Sequence, residues 1–114
     1  MPPNSAVLIV LCTCPDEAVA AGIATALVAG GLAACVNRIP AMRSMYRWEG
    51  RIQDDAEVLL VIKTTADRYG ALEAVIRTRH PYDLPEVIAL PVAAGTPGSL
   101  AGAYQEWIEQ ATRP

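Results

Sequence analysis

Two unbroken apolar runs constrain the fold of this chain more than any other feature. The first covers residues 6–11, and the second covers residues 58–62, between Glu57 and Lys63. Runs this short and this rich in β-branched side chains are typical of strands that are buried on both faces of a sheet. The pattern predicts that the two runs are the central strands of one sheet.

Two helices are predicted beside these strands. Residues 15–17 place a proline and two acids where a helix start favours them, and the glycines at residues 30–31 end the first helix. Thr64 or Thr65 can cap a second helix, which residues 80–81, His-Pro, bring to an end.

The remaining strands are marked by prolines and by alternation. Residues 32–39 and 43–48 form two stretches separated by Pro40, and the second stretch alternates like a strand with two different faces. A tight hairpin turn is predicted at residues 49–50, Glu-Gly. Residues 87–92 form a further strand, which its internal proline confines to a sheet edge or a bulge.

The resulting order of elements is strand, helix, strand pair, strand, helix, strand, with a last helix over residues 103–111. A chain of 114 residues forms one domain, which we assign to residues 1–114. The order predicts an α+β fold, a ferredoxin-like sandwich with a βαββαβ core, an antiparallel sheet and a C-terminal helix. The two apolar runs fall on its central strands.

Composition excludes several functional classes. Aromatic residues make up 5% of the chain and the net charge is -3, so we expect no nucleic-acid partner. An odd number of cysteines, three, favours a reducing compartment. The N-terminus lacks a basic segment before an apolar run that is too short to span a membrane, so a cytoplasmic location is predicted. The 53% hydrophobic content favours an oligomer.

Thiols and the only histidine are the candidate metal ligands. Cys12 and Cys14 end the first strand with their side chains on one side, and soft sulfur ligands suit monovalent copper or zinc. The alternative is that both are small buried apolar residues, and Cys35 has the same alternative. His80 ends a helix, where it can bind a metal or cap a carbonyl group.

A second group of residues predicts a ligand cleft. The third strand ends where the second helix begins, and a hairpin from a neighbouring subunit could reach across this surface. The hairpin residues would then lie close to the end of the third strand and to the residues that follow the second helix. The cleft would be lined by Tyr46, Trp48, Glu49, Lys63, Thr64 and Tyr82. The alternative is that Trp48 and Tyr82 only hold subunits together.

The chain has no G-x-S-x-G motif and no phosphate-binding loop, and one histidine leaves few ways to build a catalytic nucleophile, so no enzymatic activity is predicted.

Five segments, read in order, resemble the CutA divalent-cation-tolerance family. They are residues 12–17 (CTCPDE), 32–37 (LAACVN), 46–50 (YRWEG), 61–65 (VIKTT) and 80–82 (HPY). Residues 85–92, PEVIALPV, extend the resemblance. The family accepts cysteine at position 12 or at position 14, whereas this chain has both. Residues 98–102 look like an insertion, for which we expect a longer loop or an extra helical turn.

The resemblance implies a homotrimer of ferredoxin-like subunits, similar in architecture to nitrogen-regulatory signal proteins. It also implies tolerance to divalent metals and copper binding, with Cys12, Cys35 and His80 at the matching positions. It brings no established reaction and no organic cofactor. Our first hypothesis is therefore a metal-responsive trimer that binds copper or a related divalent metal ion without turnover. The second is a small-molecule sensor with its ligand between subunits.

Overall fold

A computed structural model describes residues 6–113 of the chain. The predicted domain also includes residues 1–5, at its N-terminus, and residue 114. These lie outside the described residues. The elements are β1 (Val7–Cys14), α1 (Glu17–Ala29), β2 (Cys35–Trp48), β3 (Arg51–Thr65), α2 (Ala66–Arg79), β4 (Val87–Pro91) and α3 (Leu100–Ala111). This order confirms the predicted βαββαβ core with a C-terminal helix.

The sheet has the order β2-β3-β1-β4, and each neighbouring pair is antiparallel. The strands that carry the two apolar runs, β1 and β3, are central as predicted. Pro91 ends β4. Because β4 is an edge strand, the N–H group that proline lacks is not needed to pair with a further strand on its outer side. The α+β ferredoxin-like fold is therefore confirmed.

Alternate residues of the central strands face different surroundings. Val10, Cys12, Leu60 and Ile62 are fully buried and pack against side chains of α1 and α2. We call this side the covered face. The opposite side, here the open face, carries partly buried or exposed residues, namely Ile9, Leu11, Ile39, Val61, Lys63, Ile88 and Leu90. Helix α3 packs over one end of it, where Thr65 Oγ1 lies 3.5 Å from Thr112 Oγ1.

The helix boundaries follow local chemistry. Asp16 caps α1 by accepting a hydrogen bond from the Val19 N–H at 2.8 Å. The expected strand start at residue 32 is wrong, because the N–H groups of Leu32 and Ala33 still bond to the Leu27 carbonyl at the end of α1. Thr65, rather than Thr64, is the N-cap residue of α2, and His80 ends that helix.

Pro40 does not separate two strands, which corrects the expected break. It lies within β2, where the register shifts between Ile39, opposite Leu59, and Met42, opposite Glu57. Three steps on β2 match two on β3, so one extra residue forms a β-bulge, and Ala41 has a φ of 60°. The bulge reverses which residues face each side, and after it Ser44, Tyr46 and Trp48 share the face of Glu57.

The hairpin turn agrees with the sequence pattern, whereas the start of the last helix differs from it. Glu49 and Gly50 have φ values of 50° and 77°, as the predicted two-residue hairpin turn requires. Helix α3 begins at Leu100, three residues before the predicted start, and Ser99 caps it by accepting from the Gly102 N–H at 2.9 Å. Of the two expectations for residues 98–102, the extra helical turn is therefore the one found.

Candidate functional site

Two cysteines and the histidine come together at the C-terminal end of β1. Cys12 and Cys14 lie opposite Leu60 and Val58 of β3, and both thiols point into the covered face with no exposed surface. The end of α2 brings His80 beside them. The two sulfur atoms and an imidazole nitrogen all lie within 4.8 Å of one another. Three of the four predicted metal ligands therefore form one cluster.

The two thiols of the cluster are unequal. A hydrogen bond with Cys14 and burial raise the pKa of the Cys12 thiol far above its ordinary value. The same hydrogen bond lowers the pKa of Cys14, although burial opposes the shift. Cys14 is therefore the sulfur that loses its proton first, and a thiolate is the form that binds metals.

His80 already has a backbone partner on each ring nitrogen. Its Nε2 lies 2.7 Å from the Thr13 carbonyl oxygen, and its Nδ1 accepts from the Tyr82 N–H at 3.2 Å. The two contacts together specify the neutral ring with the proton on Nε2, because a carbonyl can only accept. The imidazole binds a metal only if one of these hydrogen bonds is given up.

Cys35 lies apart from the cluster. It pairs with Lys63 on the open face, where the Lys63 ammonium is 3.8 Å from its sulfur and also donates to Asn37 Oδ1. Tyr104 of α3 lies near Cys35. Burial, followed by the effect of Cys35, raises the pKa of the Tyr104 phenol. The sheet therefore separates the fourth predicted ligand from the other three.

A cleft of about 650 Å³ opens at the base of the β2–β3 hairpin. It contains three of the six residues predicted to line a ligand cleft, Tyr46, Trp48 and Tyr82. The remaining lining residues are Thr13, Ser44, Met45, Glu57, Asp83, Leu84 and Glu86. The neighbours of Glu57 come from β1, β2 and the segment after α2, so the fold joins distant parts of the chain here.

Hydrogen bonds hold the two cleft tyrosines. The Tyr82 hydroxyl donates to Glu57 Oε2 at 2.9 Å, and the Tyr46 hydroxyl donates to Asp55 Oδ2. Burial, followed by the Glu57 carboxylate, raises the pKa of Tyr82, while the Asp55 carboxylate is the main cause that raises the pKa of Tyr46. Both phenols therefore stay protonated as donors at neutral pH.

The other three predicted cleft residues lie elsewhere. Thr64 is fully buried and donates to the Leu32 carbonyl at 2.6 Å, which is a structural role. Lys63 belongs to the Cys35 contact on the open face. Glu49 occupies the hairpin turn and is not among the lining residues of this cleft. Within the described chain, the six predicted residues are therefore divided among four places, namely the cleft, the core, the open face and the hairpin turn.

Sequence reasoning missed the acidic side of the cleft. Glu57, Asp83 and Glu86 line it, yet only Glu57 carried a visible signal, as a charged residue directly before the second apolar run. The bulge in β2 decides that Tyr46 and Trp48 face Glu57, and neither composition nor alternation locates such a bulge beforehand.

Comparison with known proteins gives consistent matches over nearly the whole chain. A family model described as CutA1 divalent ion tolerance protein matches residues 8–111. Protein CutA of Mus musculus is 49% identical over 100 residues, which are 88% of this chain and 54% of the mouse protein. The divalent-cation tolerance protein CutA of Thermus thermophilus is 43% identical and covered to 96%, with 91% of this chain matched. The chain thus spans about half the length of the mammalian relative and nearly all of the bacterial one.

Solved structures agree with the sequence matches. CutA1 from Shewanella sp. SIB1 superposes with a TM-score of 0.88 at 38% identity, with both chains fully covered. CutA from Archaeoglobus fulgidus, which is described as periplasmic, superposes with a TM-score of 0.85 at 27% identity over 94% of this chain and 99% of its own. No helix among residues 6–113 is both long and apolar enough to cross a membrane.

Proposed function

Since this chain belongs to the CutA1 divalent ion tolerance protein family, we propose that it contributes to metal-ion tolerance by binding a metal ion at Cys12, Cys14 and His80. The observation that supports the proposal is the convergence of two thiols and one imidazole within 4.8 Å, all three buried. Two of these donors come from β1 and the third from the residue that follows α2, whereas the remaining cysteine, Cys35, belongs to no such group among residues 6–113.

The donor set fits a soft or borderline ion. Thiolate sulfur favours monovalent copper and zinc, and imidazole nitrogen suits both, whereas calcium and magnesium require oxygen ligands. Cys14 would supply the first thiolate because its pKa is lowered. His80 would exchange its hydrogen bond with Thr13 or Tyr82 for the metal. Cys35, on the other face of the sheet, is left out of the proposed ligand set.

An anaerobic titration with monovalent copper, followed by the thiolate-to-copper absorption band, tests the proposal. We expect one ion per chain, and we expect Cys12→Ala and Cys14→Ala each to weaken binding by at least about tenfold, or 1.4 kcal/mol. Cys35→Ala is the matched control, because it removes a thiol outside the cluster. Equal binding by all three variants would contradict the proposal, and titrations with zinc and divalent copper identify the preferred ion.

We propose further that the protein acts as a homotrimer and binds its metal without catalytic turnover. The half-exposed apolar side chains of the open face, among them Ile88 and Leu90, support association, because so much apolar surface is unusual for a monomer. A cytoplasmic location remains a prediction from the cysteine content, and the relative from Archaeoglobus fulgidus is described as periplasmic.

The cleft at the hairpin base supports a second candidate function. A volume of about 650 Å³ lies within the range of small-molecule sites, and several polar groups converge on it. We therefore keep the proposal of a sensor that binds a small ligand between subunits. Calorimetric titration with small ligands distinguishes it from the metal function, because its ligand would bind equally well to the Cys12→Ala variant.

A further inference from the structure

His80 takes the place of a strand residue at the C-terminal end of β1. Strand β4 begins only at Val87, which pairs with Cys12, so among the described residues no β4 residue pairs with Thr13. The imidazole fills this position, and its Nε2–H donates to the Thr13 carbonyl at 2.7 Å. The proton on Nε2 therefore satisfies a backbone acceptor that the sheet leaves open.

The other ring nitrogen holds the segment that follows α2. Nδ1 of His80 accepts from the Tyr82 N–H at 3.2 Å. The Tyr82 ring packs against the imidazole with ring centroids 4.7 Å apart, and the Tyr82 hydroxyl donates to Glu57 Oε2 at 2.9 Å. All three contacts join groups of the same chain. Tyr82 therefore connects the metal cluster directly to strand β3.

Metal binding by this imidazole is incompatible with one of these contacts. A neutral imidazole has one proton and one free lone pair on its ring nitrogens, and a metal ion takes the lone pair. If Nδ1 binds the metal, the proton stays on Nε2 and the Tyr82 N–H loses its acceptor. If Nε2 binds, the proton moves to Nδ1, which then cannot accept a hydrogen bond. Either route breaks the hydrogen bond between His80 and the Tyr82 N–H.

We propose that metal binding at the cluster releases the Tyr82 N–H and thereby loosens the segment between α2 and β4, residues 80–86, including its contact with Glu57. A local change of this kind shifts the balance between two arrangements of a segment. The inference rests on the proposed metal function and describes its regulation. Because coupling is reciprocal, a weaker hold on Tyr82 must also tighten metal binding.

Amide hydrogen exchange, followed by NMR with and without monovalent copper under anaerobic conditions, tests the release in the wild-type protein. We expect the exchange rate of the Tyr82 amide to rise by at least about tenfold. The Val92 amide is the control and should be unchanged, because its hydrogen bond to the Val7 carbonyl, at 3.1 Å, lies at the other end of β4.

The possible results separate this inference from the metal function. Copper that binds without changing the exchange of Tyr82 would overturn the inference and leave the metal function standing. An equal rise at Tyr82 and Val92 would also overturn it, because the whole edge of the sheet would then be loosened. An absence of copper binding would contradict both.

The Tyr82→Phe variant tests the reciprocal effect. It keeps the ring and the N–H but removes the hydroxyl that holds Tyr82 to Glu57. Competition with a copper chelator should show copper bound roughly three- to tenfold more tightly than in the wild type, as the loss of one opposing hydrogen bond predicts. Tyr104→Phe, which removes a hydroxyl from α3, should leave the affinity unchanged. A merely structural role of Tyr82 would weaken binding, and weaker or unchanged binding would overturn the inference.

The gain should also depend on the imidazole. In a His80→Ala background, Tyr82→Phe should leave the affinity for copper unchanged, because no ring nitrogen then connects the metal to the Tyr82 N–H. An equal gain in both backgrounds would overturn the inference, since the effect would not pass through His80. The exchange measurement on the wild-type protein needs no substitution, so it decides the matter if His80→Ala fails to fold.

Discussion

The two faces of the sheet are built from the same strands but differ in what covers them. Leu60 of β3 is fully buried beneath the helices, whereas its neighbour Val61 points to the open face and is only partly buried. The thiols of Cys12 and Cys14 share the covered face, and Cys35 and Lys63 share the open one. The comparison teaches that alternate residues of one apolar run serve two different surfaces, one buried beneath the helices and one only partly buried in the single chain.

The difference between the faces also separates the proposed functions. A buried thiol cluster excludes water and favours a soft ion, while the open face ends in a cleft with carboxylates and aromatic rings. Thr13 belongs to both regions, because its carbonyl contacts His80 and the residue lines the cleft. Four predictions test how changes on each face, and in the hairpin, affect assembly and stability.

The largest effect is expected from Val61→Asp. If the open face is the contact between subunits, a charge at its centre should convert the trimer entirely to monomers, because a buried carboxylate without a partner is costly. Sedimentation velocity measures the change. Val28→Asp, on the outer side of α1 at 46% exposure, is the control and should remain a trimer. A wild-type protein that sediments as a monomer would show the assembly to be wrong.

A smaller effect is expected from Leu60→Ala on the covered face. Removing a fully buried leucine side chain should lower the free energy of unfolding by about 2–5 kcal/mol, since it leaves a cavity among packed neighbours. Leu100→Ala, at 91% exposure, should change it by less than about 0.5 kcal/mol. Urea unfolding compares the two variants, and losses of equal size would contradict the assignment of the core.

A pH dependence is expected from Tyr82. Its pKa is raised in the folded state, so its contribution to stability is complete below the unfolded pKa of about 10 and is lost as the pH rises further. The Tyr82→Phe variant should therefore lose less stability than the wild type above about pH 10. Urea midpoints over this range measure the difference. Parallel curves would mean that folding does not raise the pKa of Tyr82.

The smallest effect is expected from Glu49→Asn. The residue has a φ of 50°, which asparagine adopts more readily than glutamate, so the variant should gain a few tenths of a kcal/mol, up to about 1 kcal/mol. Thermal unfolding measures the gain. The cleft should keep its shape, because Glu49 does not line it. A variant that unfolds at a lower temperature than the wild type would contradict the prediction.

Most of the fold followed from local patterns. The runs at residues 6–11 and 58–62 placed β1 and β3 at the centre, and Pro15 and the glycines after α1 marked the limits of that helix. The turn at Glu49 followed from two residues alone. These features depend on side-chain chemistry within a few positions, which is why the sequence is sufficient to predict them.

The candidate sites were predictable only in part. Cys12 and Cys14 are two residues apart on a strand, so their shared direction is a local property, and adding His80 required only that α2 return to the end of β1. The separation of Cys35 required the register of β2 against β3, in which Cys35 lies opposite Lys63. Register depends on pairing between residues far apart in the chain, and no local pattern specifies it.

The sequence by itself determined the family, the order of elements and the candidate metal ligands. The tertiary structure alone decided which of them meet. The bulge after Ile39 turns Tyr46 and Trp48 toward Glu57, and the segment after α2 adds Tyr82 to the same cleft. A single extra residue reverses every later side chain on a strand, so the composition of each face is set by long-range pairing and not by the local pattern.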